Sequence, residues 1–469
     1  MLQGKNTISE DTGAKLLATF AIFVLVFSVS RGLVPILTGS ADLARPTYTL
    51  SFIAGLLLSL PGVYYAAFEK NGLIPRQLSV LLLTGLFLHI LWFLPFFKFK
   101  TSSDFIISFA YTGIFPFAVF GLARIPEKHL KISLAAVTLL VAGAVIWEFI
   151  ELNSGIVPGG FESAVARQRL MRPGGFQTFG NTALLLRPVG LTGPLPHESG
   201  NLLAILSIYW IATLLRDGAK KLPAALLALL AVMGMMLGQS AADIVAFFAG
   251  ILVLAALKGR QVFGSTRGLK LVLGVLATTL GLLSLTSFFG VKTAVLWQWT
   301  KRLAPSSAWG DMVNLGITEP GLDLLTAVTG HGSSLGLSQV GDISEISFVK
   351  LLMELGLPCY LVLMSILLYP AWRYLSAKSA TREKVLPYLV AALVGVISLW
   401  HYGSILKTTN EFVFLALYAH TLRIYAGEAT DKVLLSANKK GTLKSPPSSS
   451  PHFPNEEPGS RGKSVRFFP

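Results

Sequence analysis

The stretch "TYTLSFIAGLLLSLPGVYYAAF", Thr47 to Phe68, runs for 22 residues without a Lys, Arg, Asp or Glu. A helix rises 1.5 Å per residue, so ~20 apolar residues cross the ~30 Å hydrocarbon core of a bilayer, and this run is long enough. The rest of the chain is of the same kind. Of 469 residues 53% are hydrophobic and only 13% charged, with a mean hydropathy of +0.63. That is more apolar surface than a soluble core requires, and it comes in long runs. In lipid each backbone polar group must be satisfied within the protein, which runs of this length achieve as helices. The composition therefore specifies an all-α integral membrane protein.

Twelve candidate spans begin near Lys15, Thr47, Leu78, Phe105, Ile132, Gly200, Pro223, Ser240, Leu269, Ile346, Val385 and Glu411. The first starts too far in, and is too long, to read as a cleaved signal. The seventh and eighth are separated only by "GQSAAD", Gly238 to Asp243, and form either a tight hairpin or one long broken element. With the N-terminus inside, the inside segments hold 26 of the 39 Lys and Arg residues and the outside holds 13. That bias places both termini in the cytoplasm. The net charge of +15 then reads as topology and contact with anionic lipid, and no nucleic-acid partner is implied. One cysteine, Cys359, excludes an intrachain disulfide. A polytopic domain is expected over residues 1–435. The Pro- and Ser-rich tail from about Ser436, residues 436–469, is expected to be disordered.

Two outside loops, about 153–198 and 291–345, are longer than the others and look like caps seated on the bundle. The first carries Arg167, Arg169, Arg172 and Arg187 against two acids, Glu162 and Glu198. Arginines on the outside oppose the usual charge bias. Their rigid donor forks suit a lipid-linked phosphate, and a solvated loop face or lipid headgroups are the competing reading. Arg187 stands out because "RPVGLTGPLPHESGN" runs from it straight into the sixth span. Pro194 and Pro196 fix the start of that helix, whose freed amides attract anions, and polar groups at membrane depth are functional candidates. For His197 and Glu198 helix capping is the competing explanation.

These residues resemble the O-antigen ligase and polymerase superfamily of bacterial inner-membrane glycosyltransferases. Arg187 with Gly190, Pro196 and the small residues that follow is similar to the family's Arg-x-x-Gly element. Arg302 followed by Trp309 is similar to the Arg and Trp before its glycine motif. "TGHGSSLG" leading through "SEISFVKLLMELGLP", Ser344 to Pro358, is similar to its Gly-x-Gly segment and the helix ending in Glu-x-Gly-Leu. The resemblance implies a helical GT-C-like fold and transfer of a glycan from a polyprenyl diphosphate, on the periplasmic side, to an acceptor hydroxyl. Polymerases use another lipid-linked repeat unit as acceptor; ligases use the lipid A core. Where ligases carry a His-x-N type pattern this chain has Ser344, Glu345 and Ser347, which favours polymerisation of O-antigen or exopolysaccharide repeats. Ser240 and Ala241 stand where many members have Ser-Arg, so one phosphate-binding arginine has no counterpart there. The bilayer, the lipid-linked donor and a glycan or lipid-linked acceptor are the implied partners, with a chain-length regulator protein as a further candidate.

The chemistry of the residues agrees. Arginines can stabilise a diphosphate leaving group, so no metal or other cofactor is needed in principle, and no external DxD-like pair or metal-ligand spacing is present. A carboxylate or imidazole at the membrane boundary can serve as base for the acceptor hydroxyl. Glu345 is assigned as that base, with His331 orienting acceptor or diphosphate. One base without a second carboxylate nucleophile implies inversion at the anomeric carbon. A helix-dipole role competes for Glu345 and a turn role for His331, which lies between Gly330 and Gly332. Arg187, Arg302, His197, Arg172 and Lys350 are the candidate diphosphate and substrate ligands. Lys350 can instead pair with Glu354 one turn on. Asp243 is a buried acid or a helix cap beside Ser240; His89, His129, His401 and His420 read as structural. Twelve spans with a buried acid also suit a secondary transporter or flippase, which would place ionisable groups near several helix midplanes.

Overall fold

The computed structural model describes residues 4–69, 72–93, 106–107, 109–153, 188–192, 196–216, 221–238, 240–258, 347–399 and 410–439, with single positions at 166, 328 and 330. Of the described residues 89% are helical and none forms a strand. The principal helices are α1 (Gly4–Ser30), α2 (Ala44–Phe68), α3 (Arg76–Leu88), α4 (Glu127–Asn153), α5 (Pro196–Leu214), α6 (Lys221–Leu237), α7 (Ala241–Lys258), α8 (Ser347–Ser376), α9 (Ser379–Ser398) and α10 (Glu411–Lys439). Between α3 and α4 a broken segment passes from a π turn, Ala110–Ile114, through a 3-10 turn, Phe115–Ala118, to a single α turn.

Described helical segments lie at each expected span except the ninth, from about Leu269, which lies outside the described residues. Four helical stretches, Thr12–Ser30, Ala41–Phe68, Glu127–Leu152 and Glu354–Ser376, are long and apolar enough to cross a membrane. Helix surfaces turned outward are apolar: Leu16, Leu37, Tyr64, Leu226, Leu252 and Trp372 are all largely exposed. A belt of exposed large hydrophobics is what lipid solvates and water does not.

The inside of the bundle is organised around α5. From Glu198 to Ala212 each of its residues is buried, as expected for a helix apolar on all sides. Helices α4, α6, α7 and α9 surround it. The chain breaks after Leu237: α6 and α7 are separate helices that pack little on each other, α6 lying on α5 and α4 and α7 on α5 and α9. Helix α2 turns a small-residue face inward. Gly55 touches Phe412 and Phe115, and the backbone of Phe117 lies where a Cβ of Gly62 would be. Without a hydrophobic force between helices in lipid, such close approach supplies the packing energy.

The two ends of the bundle differ in their charges. At one end Arg124 pairs with Glu69 at 3.2 Å, Lys131 and Arg216 pair with Glu127, and Lys258 pairs with Glu383. The other end buries mainly acids. Glu127 and Glu148 occupy α4 near its two ends, about 30 Å apart at 1.5 Å per residue, so the two groups are separated by roughly the thickness of a hydrocarbon core.

The chain divides into two compact units, Met1–Gly427 and Glu428–Pro469. Helix α10 continues to Lys439, a little past the point near Ser436 where the sequence turns polar; the remainder of the tail lies outside the described residues.

Candidate functional site

The acid-rich end is built around the short segment Pro188–Thr192, which leads into α5. Glu148, near the end of α4, accepts hydrogen bonds through Oε2 from the backbone amides of Val189 (3.1 Å) and Gly190 (2.9 Å). Gly190 takes φ +75°, and a Cβ there would lie 2.5 Å from Ser199 Oγ and 2.9 Å from Val145 Cγ2. Glycine is required at this turn for both reasons. Ser199 in turn donates to the Val189 carbonyl at 2.8 Å and shares a 2.7 Å bond with Thr192 Oγ1.

Arg31, just past the end of α1, closes the arrangement from the other side. Its Nε donates to the Thr192 carbonyl at 2.7 Å and its Nη2 to Glu198 Oε2 at 3.2 Å, with both side chains buried. Its guanidinium lies 3.8 Å over the Tyr48 ring. The Gly32 amide donates to the Leu191 carbonyl at 3.1 Å. A buried guanidinium satisfied by a carboxylate, a carbonyl and an aromatic face is a rigid brace, and it fixes the segment against α1, α2 and α5 together.

Helices α7 and α10 complete the end. Asp243, in the first turn of α7, is buried with its carboxylate against Gly200 of α5, where a Cβ would collide with it. Asn410 donates from Nδ2 to the Glu198 carbonyl. The next residue, Glu411, is 0% exposed, and neither of its carboxylate oxygens has a hydrogen-bond partner. Tyr111 lies within electrostatic reach of Arg31, Glu198, Tyr48 and Glu411.

Several sequence candidates fall outside this description. Glu345, His331, Arg187, Arg302 and Arg172 lie outside the described residues, as do Arg167, Arg169 and His401. His197 is the second residue of α5 and Lys350 the fourth of α8; their side chains lie outside the described set. Glu198 turns one carboxylate oxygen, Oε2, to Arg31. The amides of Val189 and Gly190 are likewise occupied by Glu148, so an internal carboxylate fills the anion site this turn could have offered.

Two of the glycine-bearing elements do meet. Gly330, at φ +76°, packs its backbone on α8, so close that a Cβ would lie 2.6 Å from the Gly356 amide nitrogen and 3.1 Å from the Glu354 carbonyl oxygen. Gly356 itself breaks α8 with φ 74° and ψ 160°. The close approach permitted at Gly330 is thus to a helix backbone. Among the other histidines, His89 contacts the Gly85 carbonyl at 2.7 Å and Thr112 Oγ1 at 3.1 Å, and His420 stacks on Tyr388, as structural side chains do.

Sequence reasoning missed Arg31, Glu148 and Glu411. Glu148 interrupts an apolar run, a signal that could have been used, because an acid in hydrocarbon is costly. Arg31 and Glu411 sit at run margins, where charges are ordinary. Among the described residues no group of three or more His, Cys, Asp or Glu could hold a metal ion. Neither the family models nor the curated protein sequences contain a match to this chain.

Proposed function

We propose that this chain is a membrane glycosyltransferase that moves a glycan from a polyprenyl diphosphate to a sugar hydroxyl, polymerising O-antigen or exopolysaccharide repeat units. In this reading it spans a bacterial inner membrane twelve times in a GT-C-like fold. Both termini are cytoplasmic and the acid-rich end of the bundle is periplasmic. The observation that carries the reading is the bracing of Pro188–Thr192 by Glu148, Ser199 and Arg31. The chain next to Arg187 is thereby held at the polar end of an apolar bundle, where a lipid-linked diphosphate would present its charge. In this reading Arg187 supplies the guanidinium that stabilises the diphosphate leaving group. Glu345 takes the acceptor proton, and displacement by a single base inverts the sugar. Arg302, Arg172, His197 and Lys350 are the further diphosphate and substrate ligands, with His331 as orienting group.

The charge distribution favours this reading over transport. Arg31, Glu198, Asp243 and Glu411 lie in the terminal turns of their helices or just beyond them and Glu148 in the turn before the last, whereas a transporter places its ionisable groups at helix midplanes. The test is glycan profiling in the parent strain with its own gene deleted, complemented by the intact chain, Arg187→Ala or Glu345→Gln. Core bearing a single repeat after deletion, unrescued by either variant at normal membrane level, is the expected result. Core without any repeat, with lipid-linked long chains accumulating, assigns the ligase reaction instead. An unchanged profile on deletion refutes both.

A further inference from the structure

Glu411 is the one buried acid at this end of the bundle, among those described, whose carboxylate is left without any partner. It lies in the first turn of α10, 0% exposed, with both oxygens unbonded. None of the ion pairs among the described residues includes it. Glu148 is held by two amides and Glu198 by Arg31, so the neighbouring acids show what satisfaction looks like here. The dipole of α10 offsets only a fraction of the cost of burying a carboxylate. A buried acid that the fold leaves unsatisfied at both oxygens is a candidate to meet a ligand.

The surroundings limit what that partner can be. Phe412 packs its ring 5.2 Å from Phe115, which lies 4.9 Å from Tyr111 and 5.4 Å from Phe52. Tyr111 joins this aromatic group to Arg31 and Glu198 through space. A carboxyl group adjoining this aromatic group in the chain suits a ligand with several hydroxyls and apolar ring faces. We propose that Glu411 binds hydroxyls of the acceptor glycan, at a subsite at the start of α10. This rests on the glycosyl-transfer reading and adds to it a binding residue, distinct from the base.

The test uses the full-length protein in lipid nanodiscs, with lipid-linked repeat units extracted from the parent strain as probe. Thermal midpoints are followed against probe concentration for wild type and Glu411→Gln. The variant keeps the shape and replaces a buried unpaired acid, so its midpoint without probe is expected close to that of wild type. If it does not fold, Glu411→Met replaces it. The expected result is that the variant needs about 10- to 100-fold more probe for the same shift, the loss of one charged hydrogen bond. Equal shifts in both proteins, or no shift in wild type, overturn the proposal. So does a wild-type shift produced equally by sodium chloride alone, which would assign the carboxylate to a cation. The glycan profile decides the transfer reading separately. An unchanged profile on deletion, with a probe shift that depends on Glu411, leaves the sugar subsite standing and removes the transferase.

Discussion

At the scale of single residues, the stability of the polar end rests on pairs whose members are useless apart. Arg31 and Glu198 are buried together at 3.2 Å. Arg31→Leu removes the brace and strands a carboxylate, and is expected to cost about 3–5 kcal/mol, the range for breaking a buried pair from one side. Arg31→Leu with Glu198→Leu removes both charges and is expected to cost less than Arg31→Leu alone. Thermal unfolding of the two variants beside wild type in detergent checks this, and a double variant less stable than Arg31→Leu would refute it. Gly190→Ala combines a positive φ with a Cβ 2.5 Å from Ser199 Oγ. Its expected cost is about 1–3 kcal/mol, the range for backbone held in a sparsely populated region. Ser199→Ala in the same chain should relieve only part of it, because the φ penalty remains. Full relief would show the strain to be steric alone.

At the scale of elements, what was legible in the sequence followed from short-range pattern. Apolar runs mark helices wherever hydrocarbon or core demands them, and Gly190 is legible because a turn into a helix after "RPVG" needs a residue free in φ. The pairing of Arg31 with Glu198 spans 167 positions and leaves no local trace; each residue alone looks like an ordinary charge at the margin of a run. The break in α8 is intermediate. "ELGLP" announces an interruption through Gly356 and Pro358, yet only the structure shows that Gly330 packs its backbone into it. That packing makes a prediction at this scale. Gly356→Ala disfavours φ 74° and ψ 160°, a region nearly restricted to glycine, at about 1–3 kcal/mol. Gly330→Ala pushes on the same backbone from the other side. Since both substitutions break one contact, their combined loss of stability is expected to fall short of the sum; additive losses would show that the two glycines act independently.

At the scale of the whole molecule, the described helices constrain a segment that lies between them. Lys258, the last residue of α7, reaches Glu383 near the start of α9, and Tyr369 near the end of α8 donates to Gln77 at the start of α3. The ends of α7 and α8 therefore share the end of the bundle where Arg124 and Glu127 lie, and Ser347 begins α8 at the other. The sequence between Lys258 and Ser347 holds the apolar run from Leu269, which is long enough to cross from one end to the other, and a ninth crossing there is the expected outcome. Cysteine labelling tests this. In a Cys359→Ala background, which removes the buried native thiol, Asp42→Cys and Lys378→Cys place single thiols at exposed positions before α2 and between α8 and α9. With the ninth span present, an odd number of crossings separates them. A membrane-impermeant maleimide added to spheroplasts should then label Asp42→Cys directly and Lys378→Cys only after lysis. Labelling of both without lysis would remove the ninth crossing and with it the count of twelve. The opposite asymmetry would keep the count but invert the molecule, placing the acid-rich end in the cytoplasm, where the basic loops should be.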